Sequence, residues 1–427
     1  MAIQYTTVDW AKGSNIYEVN IRQYTPEGSF LAFAKHLPRL KKMGVEILWV
    51  MPITPISNKV RQGSLGSYYA CSSYTEINPE FGSMDEFKWL VKEAQSLGFK
   101  LIIDWVANHT GWDHHWTTEH PNWYVKDSLG NFTEKNGWHD VIDLNFEVDE
   151  MRSALIEAMQ FWVKECNIDG FRCDMAHLVP LSFWMDARAA CEAIKPLFWL
   201  AECEVVNYHD AFDVTYAWWW MHQTEKQAKA QASLSNIREV LHAYTNYPPG
   251  SSKLFFTSNH DENSWNGTEY EKFNLTAKAW AVFTCTWQGI PLIYSGQESP
   301  NYKRLKFFDK DAIEWKDPLQ LQDFYATLLQ LRNRNKAITE GETFILPSQN
   351  DGELMAYLRK KDENVVLVLL NISDQNRLHI PIQNTWLQGN FINVFSGLNF
   401  TFTGNDSFEL QGGEYLVYEK VLNEEKS

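Results

Sequence analysis

The chain has 427 residues, with 38 Lys plus Arg against 54 Asp plus Glu, for a formal charge of −16. That length fits two or three domains, or one large barrel with a smaller unit, and is ample for an extensive core. The acidic balance excludes nucleic acid as a partner, which needs clustered Lys and Arg, and no apolar run reaches the ~20 residues that span a bilayer.

The opening MAIQYTTVDWAKG carries neither the basic head nor the apolar stretch of a secretory signal. It sets the expectation of a cytoplasmic protein, or of a periplasmic or secreted one if a leader has been removed. Eight short runs, rich in β-branched and aromatic residues, follow in order: Asn15–Arg22, Val45–Val50, Lys100–Asp104, Asp169–Asp174, Phe198–Glu202, Phe212–Ala217, Lys253–Ser258 and Ile290–Ser295. Between them, Met84–Leu97 and Asp149–Val163 place apolar residues at helical spacing. Strands alternating with helices pair in parallel through right-handed crossovers, and eight such units predict a closed (β/α)8 barrel. No glycine-rich phosphate loop supports a nucleotide-binding sheet instead, and no organic cofactor is implied.

The predicted barrel comprises residues 1–109 and 142–341. Residues 110–141 are polar and aromatic without periodicity and read as a short rim insertion after the third strand. Asp317-Pro318 is expected to cap a helix bearing Leu321, Phe324, Tyr325 and Leu328 on one face. Residues 342–427 read as a separate antiparallel, sandwich-like β domain, with strands in ELMAYLRK, NVVLVLLNI, NFINVF and EYLVYEKV.

Six cysteines are scattered without CxxC or Cys/His zinc spacing, so buried reduced thiols are expected. Aromatic residues number 62, of which 19 are Trp, more than core filling alone suggests.

Barrel active sites lie at the carboxyl ends of the strands. There the sequence puts Asp104, Asn108 and His109 after the third run, Arg172 and Asp174 at the fourth, Glu202 at the fifth, and His260 and Asp261 at the seventh. An Asp at a strand end is commonly just a helix cap. Three acids at three strand ends, without metal cluster or cofactor loop, fit cleavage of a glycosidic bond. Arg172, two residues from Asp174 on one strand face, would keep that carboxylate ionised for attack. Glu202 ends the apolar run Phe-Trp-Leu-Ala, where desolvation would favour a protonated acid.

DWVANH at 104–109, GFRCD at 170–174, the AE pair at 201–202 and SNHDE at 258–262 together make the chain resemble the α-amylase family, glycoside hydrolase family 13. INPEFGSMDEFKWLV at 77–91, GIPLIYSGQE at 289–298, KFFDKDAIEW at 306–315 and VVLVLLNIS at 365–373 extend the resemblance nearly end to end. It implies a retaining mechanism with Asp174 as nucleophile, Glu202 as general acid/base and Asp261 as transition-state stabiliser. It also implies substrate contacts from Tyr69, His109, Arg172 and His260, with Asp104 bracing the site.

Many members hold a calcium between barrel and rim, and Asn108 and Asp143 stand at the corresponding places. Calcium takes six to eight oxygens, and only these two ligands can be read. The family's Lys-His pair beyond the nucleophile is replaced here by His177 and Leu178.

The short insertion predicts an open cleft, hence an endo-acting α-1,4-glucan hydrolase working on starch, glycogen or malto-oligosaccharides. An α-glucosidase or glucan transferase of the same family is the alternative, and a non-catalytic glucan-binding or assembly module a remote one. Trp112, Trp116, Trp123 and Trp138 on the rim, and part of the run Trp218–Trp220, are candidates to stack on sugars, against the alternative that they pack the insertion.

Overall fold

A computed structural model describes residues 7–373 and 377–422. The first six and last five residues, including part of the leader reading at the N-terminus, lie outside the described residues. Eight strands, β1 (Ile16–Val19), β2 (Ile47–Val50), β3 (Lys100–Trp105), β4 (Gly170–Cys173), β5 (Phe198–Ala201), β6 (Val214–Tyr216), β7 (Ser252–Phe255) and β8 (Ile290–Tyr294), close into a parallel barrel in sequence order. Each is almost wholly buried, as strands covered on both faces must be. Gly170 is required where β4 meets β5: a Cβ there would lie 2.2 Å from the Phe198 carbonyl oxygen.

The helices follow the expected periodicity, Met84–Ser96 and Asp149–Cys166, the first opened by a Ser83/Glu86 capping box. The helix after β8 corrects the expectation: it spans Gln322–Arg334, and Asp317-Pro318 does not cap it. Backbone amides of Gln320 and Leu321 bond instead to the carbonyls of Ser299 and Glu298, so the chain clings to the barrel mouth before turning helical.

The described residues of 342–422 form the expected antiparallel β domain, hydrogen-bonded as six strands. Its strands β9 (Glu342–Ile345), β10 (Leu354–Lys361), β11 (Asn364–Asn371), β12 (Leu378–Asn393), β13 (Asn399–Leu410) and β14 (Tyr415–Lys420) lie in the order β9-β10-β11-β14-β12-β13. One face, with Met355, Tyr357, Val366 and Val368, joins the barrel core; the other, with Leu358, Leu367, Ile380 and Phe408, forms a second core. All six cysteines are free and buried. No described helix is long and apolar enough to cross a membrane.

Candidate active site

Arg172 organises the floor of the barrel mouth. β3 and β4 pair so that Asp104 lies beside Arg172. The fully buried guanidinium donates through Nη1 to both Asp104 oxygens (2.9 and 3.1 Å) and to Asp174 Oδ1 (3.0 Å). Its Nη2 lies 2.7 Å from Glu202 Oε2, and Nε donates to Tyr216 Oη at 3.1 Å. The sequence paired this arginine with Asp174 and, by the resemblance, with the sugar; Arg172 itself is not among the residues lining the cavity. It serves three carboxylates, Asp104 and Asp174 by hydrogen bonds from Nη1 and Glu202 by an ion pair at Nη2.

The turn after β4 presents Asp174 with Met175 in the left-handed region at φ 39°. That costly conformation aims the Met175 amide at Glu202 Oε2, 3.0 Å away. After β7, Asn259 Oδ1 accepts from the Glu262 amide at 2.8 Å, and a π-helical turn over Glu262–Asn266 sets Asp261 and Trp265 on the mouth. Asp174, Glu202 and Asp261 all line one cavity of about 240 Å³ with Tyr69 and His109.

Burial pushes Glu202 up to about 7 and Asp174 up to about 6, with Arg172 opposing in both cases. Asp104 is likewise raised by burial, to about 6, against the pull of Arg172. Asp261 stays below the usual carboxylate range: burial would raise it, but His260 and an indole hydrogen bond from Trp265 prevail. Burial thus raises Asp174 and Glu202 while Asp261 is held low, so the three acids are pushed apart.

Tyr69 Oη donates to Asp104 Oδ2 (3.1 Å) and lies 2.8 Å from His260 Nε2, while the Tyr69 and His260 rings stack at 5.4 Å. His109 is buried and neutral, its value lowered by burial to about 4, and its Nδ1 lies 3.2 Å from the Asn108 amide.

Asn108 also donates to Asp143 Oδ1 at 3.3 Å, tying β3's loop to the rim. Asn108 and Asp143 thus satisfy each other, and among the described residues no group of three or more His, Cys, Asp or Glu is placed to hold a metal. Asn108 Oδ1 and Asp143 Oδ2 are not used by this bond and are the two oxygens this pair would offer a calcium ion.

The insertion is stemmed by two short antiparallel strands, His109–Gly111 and Val141–Asp143. Within it Glu134 accepts from the amides of Asn136, Gly137 and Trp138, closing a tight loop that points Trp138 at His109, ring centres 5.4 Å apart. Trp138, Asp140 and Val141 wall one side of the cavity; Trp265, Phe307 and Phe308 wall the other. The short insertion therefore supplies part of the cavity wall beside the acids. Trp116 and Trp123 are buried against each other at 4.9 Å, and Trp112 donates to the His139 carbonyl, so of the four rim tryptophans only Trp138 lines the cavity. Trp220 is core, stacked on Phe283; Trp219 is exposed.

Sequence reasoning did not assign Glu18, Tyr216, Trp265, Phe307 or Phe308. Glu18 had a signal, a lone acid within the otherwise apolar IYEV strand, and the two phenylalanines lay in the quoted KFFD stretch without a role.

A model of the α-amylase catalytic domain matches residues 12–128 and 118–195. A maltogenic α-amylase, AmyB, of Thermotoga neapolitana superposes with a TM-score of 0.89 at 30% identity, over 97% of this chain and 100% of that one. An α-amylase of Lactobacillus plantarum gives 0.86 at 26% identity, over 96% and 100%. α-Amylase MalA of Haloarcula japonica is 26% identical over 87% of this chain, which spans 57% of that relative's length. Further matches at 22–24% identity carry the names maltogenic α-amylase, α-1,4-glucan:maltose-1-phosphate maltosyltransferase and cyclomaltodextrinase. Identity of 30% across the whole Thermotoga chain, on a barrel whose charged residues stand at the strand ends, makes this chain a member of the α-amylase family.

Proposed function

We propose that the chain is a retaining enzyme of α-1,4-linked glucans that removes or transfers short units from malto-oligosaccharides. This is the glucosidase-or-transferase reading of the sequence, preferred to endo action on long chains. The observation that carries it is the cavity of about 240 Å³, walled on both flanks by Trp138 and by Trp265 with Phe307 and Phe308. A confined, aromatic-sided site favours a short sugar over the middle of a long chain. The maltogenic, cyclomaltodextrinase and maltosyltransferase names among the relatives support the same choice.

In this reading Glu202 protonates the glycosidic oxygen while Asp174 attacks the anomeric carbon, forming a glycosyl-enzyme as the leaving sugar departs. Glu202 then takes a proton from water or from a sugar hydroxyl, which attacks the same carbon and frees Asp174. The two carboxyls held by the two prongs of Arg172 support the close spacing a retaining pair needs. Asp261, ionised beside His260, faces the charge that develops on the sugar ring.

The product profile over time on maltoheptaose tests the proposal. Early accumulation of small products, with longer transfer products from a short donor, is expected. A broad ladder from starch with a rapid fall in viscosity would restore the endo reading.

A further inference from the structure

Glu18, near the end of β1, points into the barrel beneath the acids and is fully buried. Its Oε1 lies 2.5 Å from His260 Nδ1, and its Oε2 has no hydrogen-bond partner among the described residues. Burial pushes the Glu18 carboxyl up, opposed first by His260 and then by Arg172, and the cation in contact with it is His260. On the other side of the imidazole, Nε2 lies 2.8 Å from Tyr69 Oη and 3.3 Å from Asp261 Oδ2. Tyr69 has a single proton and gives it to Asp104 Oδ2, so its oxygen is left to accept and His260 Nε2 must donate. Nδ1 faces one carboxylate and Nε2 faces a second.

Resting on the reading above, we propose that Glu18 is a positioning residue that holds His260 as a doubly protonated imidazolium, its Nε2–H given to Tyr69 Oη and its positive charge set beside Asp261. The other charged or titratable groups around the pair are Arg172 on β4, Asp104 on β3, Tyr216 on β6, Tyr294 on β8 and Tyr69 on the rim. Burial alone would strip His260 of its second proton; Asp261 and Glu18 outweigh it and hold the imidazole well above its usual range. Glu18 therefore acts on the sugar only through His260. Trp49, edge-on to the imidazole at 5.9 Å, and the stacked Tyr69 ring fix the plane in which that N–H points.

The test is a pH titration of the His260 ring by NMR with ring-labelled histidine, assigned with His260→Asn, in the unsubstituted protein and in Glu18→Gln. The unsubstituted imidazole is expected to keep its second proton well above the usual imidazole range, and in E18Q to lose it at a lower pH. E18Q is also expected to lower kcat roughly 10- to 100-fold with little change in KM, since one charge-assisted hydrogen bond is lost. Glu18→Asp, which keeps the carboxylate, should retain the imidazolium. An imidazole neutral at pH 7 in the unsubstituted protein overturns the proposal, and does so even if E18Q fails to fold. E18Q with full kcat overturns it as well. The parent reading fails separately, if Asp174→Asn still turns over malto-oligosaccharides.

Discussion

At the scale of single residues, the acids at the strand ends were legible because a barrel delivers its strand ends to one face whatever else varies. Asp174, Glu202 and Asp261 could be named from position and motif, and they line one cavity. Their electrostatics could not, since these depend on groups brought from elsewhere: Arg172 divides its charge among three carboxylates, and Glu18 arrives from a strand some 240 residues before its histidine. The raised values of Asp174 and Glu202 set the pH dependence. As pH falls below about 6, Asp174 gains a proton and loses its capacity to attack. As pH rises above about 7, Glu202 loses the proton that the leaving oxygen requires. A bell-shaped kcat/KM profile with an optimum between these limits is expected, its two apparent values belonging to the coupled site. A profile flat from pH 5 to 8 would contradict these assignments. Glu202→Gln should lower kcat/KM roughly 10²- to 10⁴-fold on maltotriose and abolish the alkaline limb. The loss should be far smaller on a glycosyl fluoride, whose leaving group needs no proton; an equal loss on both substrates would argue against Glu202 as the acid.

At the scale of elements, strands buried on both faces announced themselves as apolar runs, whereas those with one wet face did not. β12 alternates buried and exposed residues, and β13, NFTFTGNDSFEL, is mostly polar, so the first half of one and all of the other escaped the sequence reading. The rim insertion was legible as an interruption but not as a wall of the site. Its inward fold depends on Glu134 gathering three amides and on Gly137 at φ 82°, details below the resolution of periodicity. Trp138→Ala should therefore raise KM for maltotriose roughly 2- to 10-fold, the value of one aromatic face at about 0.5–1.5 kcal/mol, with kcat less affected. Steady-state kinetics on maltotriose against soluble starch checks this, and an unchanged KM for the trisaccharide would remove Trp138 from the sugar site. The Asn108–Asp143 tie joins β3 to the same insertion by a direct hydrogen bond. Dialysis against a chelator decides whether that tie suffices: an unchanged Tm would mean that it does, and a fall reversed by added calcium would mean that the two residues' other oxygens hold the ion.

At the scale of the whole molecule, the C-terminal sheet reads from sequence as a separate unit, yet its inner face is continuous with the barrel core. Tyr357 on β10 packs edge-on against Trp287 at 4.9 Å and shares a 2.6 Å hydrogen bond with Thr286, at the end of the barrel helix Ala277–Thr286. Two residues on, the buried Arg359 donates to the carbonyls of Ala337, Ile338 and Gly341, filling the acceptors left at the end of helix Lys336–Thr339. Two units fused through a shared core should unfold together, unlike domains joined by a linker. Tyr357→Ala removes the ring and leaves the Thr286 hydroxyl without its tyrosine partner, and is expected to cost about 3–5 kcal/mol, the range for large aromatic truncations in a core. Because Tyr357 does not line the cavity, kcat/KM on maltotriose should be unchanged at a temperature where the variant is folded. Calorimetry should show a single transition in both proteins, displaced downward in the variant. Two resolved transitions, with only the smaller one displaced, would mean that the sheet is an independent domain and that the barrel is stable without it.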